Sequence, residues 1–486
     1  MSDESQSSYK QILKATSIIG GVQVFNIVIS IVRSKFIAVL LGPIGIGISG
    51  MLTATLGIVS GLTNSGLGTS AVREISIAYE TGNAKRIAMV ASVLNRWIWI
   101  TGLLGMILTL LFSPWLSYLC FGNYDYTIAF LFLSLVVLIN QLNSGQIIVL
   151  QGTRRISLLA KANLLGGLIG LFTTIPLYYL WGNDGIVPAL LLAAVTSFSC
   201  SFYFRNKAGI ETLRLSTIRS IAEGKRMLKM GFLISMSGLI TISFSYFVRL
   251  FIAHEGNIAQ VGLYNAGFAI ISTYVGLIFS AMGTDYYSRL SAVADDLERA
   301  NDTINNQIEI SIMLLGPILV VFILLIKWII HILYSTQFLA IGSMLVWAAI
   351  GILFKAVSWC MAYFILSKGS SKLFFWNELI ANLYLSILNI IGYYYFGLSG
   401  LGYAFIISYF IYMVQVYMVI KFKFEYKIRK KIFSILLILF LFSISSLLIT
   451  TFITGFMFLL LSILILISIL IYTINFFYRL LNHSTS

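Results

Sequence analysis

Three basic residues stand inside long apolar runs: Arg33 in Ser17–Leu41, Arg249 in Gly231–Ala253 and Lys355 in Phe338–Leu366. A charge in hydrocarbon is costly unless it faces a watery cavity or a partner. Asp and Glu are expected to be missing from the same depth, so the simplest partner is an anion that comes and goes. Guanidinium suits phosphate because its planar fork binds two oxygens at once and never loses its charge. Arg33 and Lys35 differ by about 200° around a helix axis, so they cannot face one cavity together. Arg33 has a counterpart in the internal repeat described below and Lys35 has none. Lys35 is therefore expected to snorkel toward headgroups. Gln23 and Asn26 share a face with Arg33 loosely, while Asn140, Gln141, Asn143 and Gln146 follow one another along a single apolar run. Such amides can hold sugar hydroxyls or tie helices together. The candidate substrate-binding set is Arg33, Arg249, Lys355, Asn26, Gln23 and Asn140. It implies an electropositive chamber that receives phosphate oxygens.

No other grouping suggests chemistry. His254, His331 and His483 form neither a metal set nor a catalytic pair, and Cys120, Cys200 and Cys360 have no ligand or disulfide spacing. Glu378 and Asp285 are expected at solvated helix ends. No nucleophile–base constellation or phosphate-cradling glycine loop is present. No cofactor, metal or enzymatic activity is expected.

The elements that must position these residues are membrane helices. The chain is 59% hydrophobic and 10% charged, against about 25% charged in soluble domains. Fourteen runs are long enough to cross a bilayer core. They cover 12–41, 44–66, 87–112, 126–150, 158–181, 185–204, 230–253, 259–284, 303–326, 338–366, 373–396, 399–420, 432–453 and 456–478. With both termini in the cytoplasm, nearly all of the 32 Lys and Arg residues fall on the cytoplasmic side. The exceptions are Arg33, Lys35, Arg249 and Lys355 within spans and Lys327 outside. That orientation obeys the positive-inside rule. The formal charge of +15 then reflects topology anchors lying against anionic lipid, and no nucleic-acid partner is expected.

The expected fold class is an all-α polytopic membrane protein of about 14 transmembrane helices, in two related six-helix lobes plus two C-terminal helices. The repeat rests on Val32-Arg33-Ser34-Lys35-Phe36-Ile37-Ala38 and Val248-Arg249-Leu250-Phe251-Ile252-Ala253, which match with one residue deleted. Each arginine is followed at similar distance, 35 or 34 residues, by Gly-Thr: Gly68-Thr69 and Gly283-Thr284. The expected divisions are 1–215, 216–425 and 426–486. A parallel repeat implies a pseudo-twofold axis along the membrane normal with the substrate path between lobes. The last two runs have no counterpart and are expected to face lipid.

Several short motifs then resemble a known family. Leu41-Gly42-Pro43-x-Gly45-x-Gly47, Val261-Gly262-Leu263-Tyr264, Ser288-Arg289-Leu290-Ser291 and Leu333-Tyr334-Ser335-x-x-Phe338 are similar to Wzx-type O-antigen and lipid III translocases. So are Phe354-Lys355, Ala362-Tyr363 and Ser367-Lys368. These translocases form the polysaccharide-transport branch of the multidrug/oligosaccharidyl-lipid/polysaccharide (MOP) flippase superfamily. The resemblance spans about residues 10–425 and implies a flippase in a bacterial plasma (inner) membrane. It implies alternating access, with an undecaprenyl-diphosphate-linked oligosaccharide as substrate and a cationic central cavity for the diphosphate. Arg33, Arg249 and Lys355 occupy matching places. Implied partners are the lipid-linked oligosaccharide, membrane lipids, and the polysaccharide polymerase and chain-length machinery. Two alternatives stand beside it. A drug exporter of the same superfamily would be expected to use membrane carboxylates, and a polytopic polymerase or ligase would be expected to carry a large outer loop.

Overall fold

The computed structural model describes residues 3–64, 66–210, 213, 217–272 and 276–483. It is helical throughout, with no strand among the described residues. The helices are α1 (Asp3–Asn64), α2 (Leu67–Glu80), α3 (Ala84–Leu111), α4 (Ser113–Phe121), α5 (Thr127–Gly152), α6 (Ile156–Trp181), α7 (Ile186–Lys207) and α8 (Thr217–Glu255). There follow α9 (Ile258–Ile270), α10 (Gly276–Ala292), α11 (Leu297–Leu324), α12 (Ile326–Leu333), α13 (Gly342–Ser367), α14 (Ser371–Phe424), α15 (Lys430–Phe452) and α16 (Gly455–His483).

Aliphatic composition and side-chain caps account for these elements locally. Asn83 accepts a hydrogen bond from Arg86 N at 3.1 Å to start α3, and Asp296 does the same for Arg299 N at 3.1 Å to start α11. Nine helical stretches among the described residues are long and apolar enough to cross a membrane. Three of them, Val24–Asn64, Ile156–Lys207 and Ser371–Phe424, run 41 to 54 residues, about twice what one crossing needs. Each is broken by a glycine at positive φ: Gly42 (64°), Gly182 (54°) and Gly397 (58°). Those breaks fall in the gaps between expected spans. A residue with a β-carbon is strained there, so the hairpin turns rest on glycine.

The chain packs as two compact units, residues 1–262 and 263–486. Within the first, α6 lies along α7 and α1, and α5 packs on α3 and α7. Leu67, Ala71 and Ile75 of α2, Leu94 and Ile98 of α3 and Val149 of α5 form one buried cluster. Helix α8, carrying Arg249, packs on α1, α2, α3 and α4. A buried triangle pins it: Tyr246 Oη lies 3.0 Å from Thr55 Oγ1 of α1 and 3.1 Å from Cys120 Sγ of α4. The start of α9 crosses α1 at Gly47 and Gly262. A β-carbon on Gly47 would lie 2.0 Å from Ile258 O, and one on Gly262 would lie 1.8 Å from Pro43 O.

The second unit is built around α13, whose residues Ala348–Phe354 are all buried. The α14 hairpin packs along it and α11 crosses it. Helix α15 lies on α11 and α13, and α16 on α11 and α15. Phe433, Leu437 and Leu441 of α15 and Ile467, Leu470 and Ile471 of α16 remain exposed, as expected of lipid-facing helices.

Candidate functional site

Lys355 opens onto a cavity. Lys355, Ser358, Trp359, Ala362, Tyr363 and Leu366 of α13 line a space of about 520 Å³. Their spacing of i, i+3, i+4, i+7, i+8 and i+11 is one face of a helix. Tyr287 of α10 and Phe374, Glu378, Tyr409 and Tyr412 of α14 complete the wall. The half-buried Lys355 sends Nζ to 5.1 Å from the Tyr409 ring centre and 5.9 Å from that of Phe405. The ring faces attract the ammonium without using up its three hydrogen-bond donors. Trp359 and Tyr363 stand 4.8 Å apart, and Tyr287 meets Tyr363 edge-on at 5.7 Å.

Glu378, expected at a solvated helix end, is instead half-buried and lines this same cavity. The reason is geometric. It lies two turns into α14, and the returning half of the hairpin brings Tyr412 over it. Tyr412 Oη donates to Glu378 Oε1. Gln415 Nε2 in turn donates to Asn377 Oδ1 at 2.8 Å, and Asn377 Nδ2 to Tyr412 Oη at 3.4 Å. Among the described residues no ion pair joins Lys355 to Glu378, so the cavity holds a separated cation and carboxylate between aromatic walls. A second carboxylate is buried elsewhere in this unit. Glu309 on α11 is buried, 2.8 Å from Lys431 Nζ and 3.4 Å from Arg429 Nη1.

The remaining candidates lie in residues 1–262. Arg33 on α1 packs against α6 at Gly170, where a β-carbon would come 3.3 Å from Arg33 Nη2 and 3.5 Å from Thr196 Oγ1 of α7. Its Nε is buried with no hydrogen-bond partner. Asn26, two turns earlier, lies beside Gly167 of α6. Arg249 turns back on its own helix, donating to Ser245 Oγ at 2.6 Å and Ser245 O at 3.1 Å. Asn140 lines a separate cavity of about 370 Å³ with Asn143, Thr53, Ser60 and Ser197, and Asn143 Oδ1 is buried there without a partner. Gln141 is structural, donating to Thr101 Oγ1 at 2.9 Å and Asn64 Oδ1 at 3.2 Å. The side chains of Gln23, Arg226 and Lys229 lie outside the described residues. The structure thus brings Asn26 and Arg33 onto one seam, and puts Asn140 and Lys355 in different cavities.

The motif residues serve packing. Gly42 turns α1, Gly47 and Gly262 meet, and Tyr334 Oη donates to Ala266 O at 3.2 Å while stacking on the buried Phe338 at 5.1 Å.

The family model described as polysaccharide biosynthesis protein matches residues 36–343. The chain belongs to that family. Its fold is shared by solved MOP-superfamily transporters. The lipid II flippase MurJ in an inward closed conformation superposes with a TM-score of 0.70 at 18% identity, covering 96% of this chain and 99% of that one. An inward-facing multidrug resistance MATE family transporter of the MOP superfamily gives 0.66 at 15% identity, covering 85% and 95%. A MOP superfamily transporter from Pyrococcus furiosus, described as having a binding pocket of reverse polarity, gives 0.58 at 16% identity, covering 85% and 96%. Among curated proteins none matches the chain. This family member is an all-α, multi-pass membrane protein.

Proposed function

We propose that this chain is a flippase rather than an enzyme, moving an undecaprenyl-diphosphate-linked oligosaccharide from the inner to the outer leaflet of a bacterial plasma membrane by alternating access. The cargo would be an O-antigen unit or a related surface-polysaccharide repeat. The observation that carries this reading is the Lys355 cavity. Its ammonium keeps its hydrogen-bond donors for phosphate oxygens, while Trp359, Tyr363 and Tyr409 offer ring faces of the kind that pack on sugar C–H surfaces. The hydroxyls of Tyr287 and Tyr363 are further partners for sugar hydroxyls. Membership of a polysaccharide biosynthesis family supports the substrate class, and a fold relative that flips lipid II supports the lipid-linked form. Arg33, with its unpartnered Nε, and Arg249 are assigned to the same anionic cargo, with Asn26, Gln23 and Asn140 toward its sugars.

A second reading has one observation in its favour. Glu378 gives the cavity a membrane carboxylate, the residue type expected of a cationic-drug exporter, and a MATE transporter shares the fold. Surface polysaccharide in a complementation assay separates the two. A charge-assisted hydrogen bond contributes about 1.5–3 kcal/mol, so Lys355→Gln should lower export roughly 10- to 100-fold at equal protein level. Lys355→Arg should retain much of it. Normal polysaccharide from Lys355→Gln, together with loss of cationic-dye extrusion in Glu378→Gln, would overturn the flippase reading in favour of the exporter.

A further inference from the structure

A further cavity lies away from Lys355, at the basic end of residues 263–486. It measures about 820 Å³ and is lined by residues of α10, α11, α15 and α16. Four cations converge on it from three helices: Arg289 of α10, Arg429 and Lys431 at the start of α15, and Arg479 near the end of α16. One carboxylate, Glu309, lines it with them, leaving a lining charge of +3.

Three of these cations are already held in place. Arg429 bonds Asp302 at 2.7 Å and Asn306 Oδ1 at 2.7 Å. Lys431 sits 2.8 Å from Glu309 and 4.7 Å from the Phe476 ring centre. Arg289 bonds Asp285 at 2.8 Å and Gln307 Oε1 at 3.2 Å. Arg479 has no ion pair among the described residues and is exposed at the rim. Helix α15 points its N-terminus at the same space, with no acidic residue in its first turn. Its positive dipole end therefore adds to the field. Asn475 supplies a neutral polar group and Tyr472 a hydroxyl.

The floor differs from the rim. Ile435 and Phe476 make it apolar, and the same two helices, α15 and α16, carry exposed aliphatic side chains. A soluble ion needs the rim alone. A lipid would use both, with its phosphate among the cations and its chains on the aliphatic faces. By its basic flanks this end is the one expected at the cytoplasmic leaflet, where basic pockets between membrane helices meet lipid head groups.

We propose that this cavity is a site for the phosphate headgroup of a lipid, built by α15 and α16 together with α10 and α11. It does not rest on the flippase reading, because it uses none of the residues assigned to the cargo.

The test uses the full chain in phosphatidylcholine nanodiscs containing a small fraction of phosphatidylglycerol, with retained lipid counted by native mass spectrometry. Wild-type protein should retain phosphatidylglycerol in preference to phosphatidylcholine. Arg479→Gln should weaken that preference about fivefold, and Arg289→Gln with Arg479→Gln further. Both variants spare the Glu309 contacts, and their melting temperatures in pure phosphatidylcholine should match wild type. Added undecaprenyl diphosphate that displaces the retained lipid would identify the lipid-linked cargo as the natural occupant. Retention against it would identify a membrane phospholipid, and either outcome supports a lipid-phosphate site. Equal retention of both phospholipids by wild type, unchanged preference in the double variant, or displacement by inorganic pyrophosphate at the same concentration would each overturn the proposal.

Discussion

Replacing Gly262 by alanine adds one methyl group at the place where α9 crosses α1. The built β-carbon would sit 1.8 Å from Pro43 O and 2.8 Å from Gly47 N. Ordinary contact to a carbonyl oxygen begins near 3.2–3.4 Å, so the two backbones must separate by about 1.5 Å. Neither atom belongs to a flexible side chain, and overpacking of this kind typically costs about 1–3 kcal/mol. Against it stands the helix propensity gained by replacing glycine, up to about 1 kcal/mol. The net expectation is a loss of about 1–2 kcal/mol, read as a lower midpoint in thermal unfolding of detergent-solubilised protein. Gly57→Ala is the matched control. Gly57 is also helical, and its β-carbon would meet nothing within 4 Å, so that variant should be neutral or slightly stabilised. If Gly262→Ala unfolds at the same temperature as Gly57→Ala, the close crossing does not exist in the folded protein. The structural role given to the motif glycines then fails.

Two further perturbations address buried polar networks. Tyr412→Phe removes the donor to Glu378 and should destabilise the protein by about 1–3 kcal/mol; adding Glu378→Gln should then cost much less than it does alone, and strictly additive melting shifts would refute the coupling. Asn305 on α11 ties down the segment before α15, accepting from Tyr426 Oη at 2.9 Å and Arg429 N at 3.1 Å and donating to Lys427 O at 3.0 Å. Asn305→Ala should therefore make trypsin cut faster at Lys427 and Lys430, and an unchanged cleavage rate would show that those bonds do not hold the segment.

What was legible in the sequence was where several helical runs turn. Apolar run length and basic flanks place crossings because hydrocarbon tolerates so few alternatives. The turns at Gly42, Gly182 and Gly397 accordingly fall where spans were expected to end. Rotation about each helix axis was far less legible. The tie between Gln141 and Thr101 links α5 to α3, and nothing in one chain's residue order distinguishes it from the exposed Asn140 one position earlier. Lys355 could be recognised as a membrane cation from its own neighbours. Glu378 could not be recognised as sharing its cavity, because the two lie on different helices and meet only through the packing of α13 on the α14 hairpin. Glu309 has a signal in the sequence, a carboxylate one to two turns inside an apolar run. Its partners Arg429 and Lys431 lie about 120 residues away, so its neutralisation is a property of the fold. The motif glycines make the complementary case. They are the easiest residues to match to a family, because only glycine permits the turn at Gly42 and the contact at Gly262. That same steric reason means they report the scaffold and carry no information about cargo. In the flippase reading proposed above, specificity is assigned to the side chains around Lys355 and Arg33, whose facing is decided by helix rotation. A family can therefore share the motifs and the scaffold while its members differ in what they carry.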